Sequence, residues 1–196
     1  MGQTDQRIKL TALLLFCCIV AQAQYNIGFE HSTSITFSDQ GSLRLATTGG
    51  FTNPQFSEIQ LNNDGDVDLF VFDRGNDTWR TFLYNSATAQ YDYHPEYEGN
   101  FPDGLNELVL IRDYDCDDDN DLFTYNNGKF RVYKNDGSFP PNFELVTDAI
   151  QSDYGSLVTS AFILPGDIPA ILDVDDDGDI DILTFGNGDS ENTLVW

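Results

Sequence analysis

Three segments of the chain repeat one another: EIQLNNDGDVDLFVFD (Glu58 to Asp73), LIRDYDCDDDNDLFTYN (Leu110 to Asn126) and AILDVDDDGDIDILTFG (Ala170 to Gly186). Their equivalent aspartates Asp68, Asp121 and Asp181 lie 53 and 60 residues apart. A period of this size marks an array, in which each repeat is one supersecondary unit that buries its faces against its neighbours.

Each unit has the same grammar. A short apolar run (Ile59 and Leu61; Leu110 and Ile111; Ile171 and Leu172) leads into an acidic loop, and a β-type run follows it: Leu69 to Phe72, Leu122 to Tyr125, Ile182 to Phe185. β-branched and aromatic residues bounded by Gly, Asn and Asp read as strands. Turn signals at Arg74-Gly75-Asn76-Asp77, Asn126-Asn127-Gly128 and Gly186-Asn187-Gly188-Asp189 separate these from further strands at TWRTFLYN and KFRVYKN, with fourth strands expected at YDYHPEY and NFELVTD. Helical periodicity is missing from the chain beyond its leader. Four short antiparallel strands in some fifty residues describe a propeller blade. The expected fold is therefore all-β, a β-propeller of four-stranded blades with about three present, over residues 50–100, 101–160 and an incomplete 161–196. Residues 24–49 form an N-terminal strand segment leading into the first blade.

The acidic loops carry the chemistry. Numbered from the first candidate ligand, the third loop places Asp173, Asp175 and Asp177 at positions 1, 3 and 5, Gly178 at 6, Asp179 at 7 and Asp181 at 9. The second has Asp113, Asp115, Asp117, Asp119 and Asp121, with Asp118 where glycine is expected, and the first has Gln60, Asn62, Asp64, Asp66 and Asp68. Two carboxylates in loop contact repel by about 4 kcal/mol at a surface-like dielectric, so their clustering calls for a counter-charge. Hard oxygen donors at alternate positions suit calcium over zinc or copper. Position 6 requires a residue that tolerates positive φ, which glycine does at least cost. An EF-hand is excluded because position 12 is Val71, Thr124 or Thr184 where that motif needs a bidentate glutamate. The loops differ in charge, which predicts calcium affinity in the order third, second, first.

Composition sharpens the partner class. Thirty-three acidic residues against nine basic ones give a net charge of −24, which argues against nucleic acid and anionic membrane surfaces as partners. The start of the chain, MGQTDQRIKLTALLLFCCIVAQAQ, has basic Arg7 and Lys9, an apolar run from Leu10 to Val20 and an A-x-A site at Ala21-Gln22-Ala23. This is the pattern of a signal peptide over residues 1–23, cleaved after Ala23, and its apolar core is too short to span a bilayer. A secreted or cell-surface chain without membrane insertion is expected. Cleavage leaves Cys116 alone, so no internal disulfide supports the exported domain, and metal takes that place.

PQFSEIQLNNDGDVDLFVFDR, RDYDCDDDNDLFTYNNGKFRVYKN and DIPAILDVDDDGDIDILTFG resemble FG-GAP/VCBS repeats, the integrin-alpha-like propeller units, and in particular the exported VCBS-repeat proteins of Bacteroidetes. The resemblance runs from about Gly50 to Trp196, with Gln60 and Asp118 departing from the D-x-D-x-D-G-x-x-D pattern. It implies a propeller closed by seven blades, calcium in a structural role, and a protein or carbohydrate ligand on the propeller face. Three blades do not close a ring, and the chain ends on the apolar Thr193-Leu194-Val195-Trp196, so the sequence reads as truncated from such a ring.

Enzymatic signals are missing. His31 and His94 lie outside the repeated units with no motif around them, and no nucleophile elbow, phosphate loop or zinc pattern occurs. Acid pairs triplicated in the same setting read as scaffold. The expected function is a non-enzymatic calcium-binding adhesion scaffold; the alternative is an accessory domain of a carbohydrate-active enzyme such as a polysaccharide lyase.

Overall fold

The computed structural model describes residues 45–153, 156–185 and 194–195. The expected signal peptide, most of the expected N-terminal strand segment and His31 lie outside them. The chain divides into two units, 1–35 and 36–196, and all described residues belong to the second.

This unit is all-β. Four antiparallel sheets account for its strands, and a 3-10 helix at Pro95–Asn100 is the one helix among the described residues. The first sheet runs in chain order through β1 (Pro54–Ile59), β2 (Asp68–Asp73), β3 (Thr78–Asn85) and β4 (Gln90–Tyr93). A second repeats that order with β5 (Val109–Arg112), β6 (Asp121–Asn126), β7 (Lys129–Asn135) and β8 (Phe143–Thr147). Strands β9 (Gln151–Asp153) and β10 (Val158–Ser160) make a two-stranded sheet, and β11 (Ala170–Leu172), β12 (Asp181–Phe185) and β13 (Leu194–Val195) a three-stranded one.

β3 and β7 coincide with TWRTFLYN and KFRVYKN. The hairpin between β6 and β7 turns on Asn127 and Gly128, at φ of 49° and 82°. Both are left-handed, as a two-residue turn that follows the strand twist requires. The expected strand YDYHPEY is shorter than its aromatic content implies: β4 stops at Tyr93, and Pro95 opens the 3-10 helix because proline fixes φ and has no N–H for a ladder. The hairpin β9–β10 is an addition to the four-strand grammar.

Successive residues of a strand face opposite sides, and β6 uses both. Leu122 joins a core with Ile59, Phe70, Phe72, Phe101 and Ile111, while Phe123 joins another with Leu108, Phe130, Val132, Ile163 and Ile171. A strand buried on both faces loses the polar alternation of a half-exposed one, which is why Asp121 to Thr124 are all buried. The phenylalanine closing the first repeat, Phe72, is fully buried, whereas its equivalent Phe185 is 51% exposed.

The first strands of consecutive repeats lie side by side. Val109 N–H donates to Gln55 Oε1 and Ile111 N–H to Ser57 Oγ, each at 3.1 Å, and Arg112 Nε donates to the Ile171 carbonyl at 3.2 Å. Gln55 and Ser57 are buried polar residues satisfied in part by this inter-sheet bonding. A further clamp sits at Asp73, whose carboxylate accepts from the N–H groups of Asn53, Thr52 and Gly75 and from the Asn76 amide. The Asn53 bond above all holds its pKa down to about 2.

Candidate metal centres in the acidic loops

Register makes the three loops equivalent. Ile59 pairs with Asp68, Arg112 with Asp121 and Leu172 with Asp181. In every case the last residue of the incoming strand stands opposite the position-9 aspartate, leaving eight residues between them. The left-handed residue at position 6 is present each time: Gly65 at 84°, Asp118 at 70° and Gly178 at 97°. Aspartate tolerates that conformation through its short polar side chain. Loops 2 and 3 have a second left-handed residue at position 4, Cys116 and Asp176, which the spacing of acids does not foretell.

Carboxylates organise the loop backbone. Asp113 accepts from the N–H groups of Asp117 (3.2 Å) and Asp118 (3.0 Å), and Asp173 from those of Asp176 (2.7 Å), Asp177 (3.3 Å) and Gly178 (3.0 Å). In all three loops position 5 accepts from the N–H of position 7: Asp64 from Asp66, Asp117 from Asp119, Asp177 from Asp179. Position 9 ties the loop to the sheet. Buried Asp68 accepts from Leu61 N–H and from Tyr84 N–H on β3, each at 2.9 Å. Buried Asp121 does the same with Tyr114 (2.8 Å) and with Asn135 on β7 (2.7 Å). Asp181 accepts from Val174 N–H at 2.9 Å. Burial pushes the pKa of Asp68 and Asp121 up against the lowering effect of these bonds.

Of the residues expected to ligate, the structure brings together positions 1, 3 and 5 of two loops. Asp113, Asp115 and Asp117 offer oxygens within 4.8 Å of one another, and so do Asp173, Asp175 and Asp177. Asp121 and Asp181 lie outside these groups and face backbone amides. Asp119 rests against Gly137, where a Cβ would collide with its carboxylate. Loop 1 forms no such triad among the described residues: Asn62 Nδ2 donates to Asp64 Oδ2 at 2.8 Å, while Asn62 Oδ1 is buried with no hydrogen-bond partner. That orphaned oxygen and the two carboxylate triads are hard donors whose repulsion or unmet bonding a divalent cation offsets, so the residues present fit such an ion. Asp66 belongs to no acidic triad among the described residues.

The loops differ in what answers their charge. In loop 3, withdrawal from water and the neighbouring Asp177 and Asp181 charges raise the pKa of Asp175. Asp177 is lowered and Asp179 raised by the hydrogen bond between them. In loop 2, Lys134 from β7 contacts Asp115 Oδ2 and lies 2.8 Å from Asp117 Oδ2, and its hydrogen bond holds Asp117 below the usual carboxylate range. Cys116 Sγ of loop 2 donates to the Gly178 carbonyl of loop 3 at 3.4 Å. Neither Lys134 nor Cys116 was marked by the acidic spacing, because both contacts depend on strand and sheet neighbours distant in sequence. Of the histidines, His94 pairs with Glu96 at 2.7 Å.

The chain matches no model of a known protein family, no curated protein and no solved structure. No helix among the described residues is long and apolar enough to cross a membrane.

Proposed function

We propose that the protein is a secreted or cell-surface, calcium-binding scaffold without enzymatic activity, built as blades of a β-propeller of the FG-GAP/VCBS kind. The observation that carries this reading is the threefold recurrence of one eight-residue acidic loop, in one register, between the first two strands of three sheets. Side-by-side contact of β1 with β5 and of Arg112 with β11 supports an inner ring of first strands. Asp113, Asp115 and Asp117 hold calcium in loop 2, Asp173, Asp175 and Asp177 in loop 3, and Asn62 with Asp64 in loop 1. Bound calcium supplies charge neutralisation; the chain's own position-9 aspartates transmit loop order to the sheets. Partners, protein or carbohydrate, dock on the faces that such ordered loops present.

An ion that binds the folded state alone stabilises it by mass action. Calcium at one hundred times its dissociation constant is therefore expected to add about 2.7 kcal/mol per site, read as a higher melting temperature than in EDTA. Equal melting temperatures in calcium and in EDTA would remove the structural role.

A further inference from the structure

We infer that loop 2 carries its own cation, the Lys134 ammonium, and that this residue holds the affinity of loop 2 for a divalent ion below what its three carboxylates alone would give. The inference rests on the calcium reading above. Lys134 Nζ contacts Asp115 Oδ2 and Asp117 Oδ2, two of the three carboxylates that converge in the loop. The backbone puts it there. Lys134 precedes Asn135, whose N–H is held by Asp121 Oδ1 at 2.7 Å, so the aspartate that ends the loop also fixes the rung of β7 from which the lysine reaches it.

Loop 1 has no such group among the described residues. In loop 1 the corresponding donor to position 9 is Tyr84, and the residue before it is Leu83. Loop 3 has the same triad, but the described part of β13 pairs with Thr184 and Phe185 and does not reach Asp181, so the contrast lies with loop 1. An exposed lysine beside aspartates is often an inconsequential surface pair, with a contribution close to zero. Lys134 differs in that it occupies the oxygens a metal needs. A calcium ion requires them at roughly 2.3–2.6 Å and repels the ammonium, so it binds only after Lys134 has been displaced. A tethered competitor of this kind lowers apparent affinity without altering a single ligand. In return, loop 2 keeps its order when calcium is scarce.

The test uses the full chain with loop 1 disabled by D64N and loop 3 by D173N and D175N, so that loop 2 is read alone, and titrates calcium by calorimetry with and without K134M. The lysine-free protein is expected to bind calcium roughly fivefold more tightly, and K134R is expected to retain the weaker binding. In EDTA, K134M melts below its parent, and in saturating calcium the difference closes. Equal or weaker calcium binding by both K134M and K134Q, in proteins whose circular dichroism matches the parent, overturns the inference. Absence of calcium binding by the unmodified chain overturns the calcium reading and the inference together. Normal binding at loop 3 with an unaltered K134M isotherm overturns the inference alone.

Discussion

Loops 2 and 3 have the same three converging aspartates and the same left-handed backbone at positions 4 and 6, yet they sit in different electrostatic and mechanical settings. Loop 2 is braced: Asp121 is fully buried and bonded to β7, and Lys134 lies across Asp115 and Asp117. In loop 3 the described residues show an exposed triad, a half-buried Asp181 and one backbone amide bonded to that carboxylate, and the described part of β13 does not reach Asp181. Ligand identity alone therefore does not rank these sites. What surrounds the carboxylates decides how strongly each loop needs an external cation.

The sharpest way to break the comparison is at position 9. Asp121→Ala leaves the buried amide of Asn135 and the part-buried amide of Tyr114 without an acceptor, at a cost of about 3 kcal/mol. Asp181→Ala removes one acceptor at a wetter site and is expected to cost about 1 kcal/mol. Urea unfolding of the two variants in EDTA measures both; equal losses would mean that loop 2 is not more firmly braced.

A smaller effect is expected at the thiol that bridges the loops. Partial withdrawal from water, with Asp113, Asp179, Asp115 and Asp173 around it, raises the pKa of Cys116. A raised thiol pKa leaves less thiolate at pH 8, so alkylation by iodoacetamide is slow. Calcium neutralising the aspartates is expected to lower that pKa and speed alkylation about threefold. A rate unmoved by calcium would place no ion near Cys116.

Much of this was legible in the residues. β3 and β7 coincide with TWRTFLYN and KFRVYKN, because turn chemistry brackets them and β-propensity fills them. Left-handed position 6 followed from glycine in two loops, and Asp118 adopts it too. The bracing was not legible. Lys134, Tyr84 and Asn135 meet the loops only through the register of a neighbouring strand, and nothing in their own local pattern marks them. The same limit hid the hairpin β9–β10, whose Gln151–Asp153 strand lacks an apolar run, and the early end of β4, where His94-Pro95 overrode aromatic content.

The acidic loops as calcium sites, with loop 3 the tightest, are tested most directly by calcium calorimetry on the chelator-treated full chain and on a variant carrying D173N, D175N and D177N. The account predicts calcium uptake by the unmodified chain and loss of the tightest component in the variant, with the weaker one retained. Superimposable isotherms from the two proteins would contradict it.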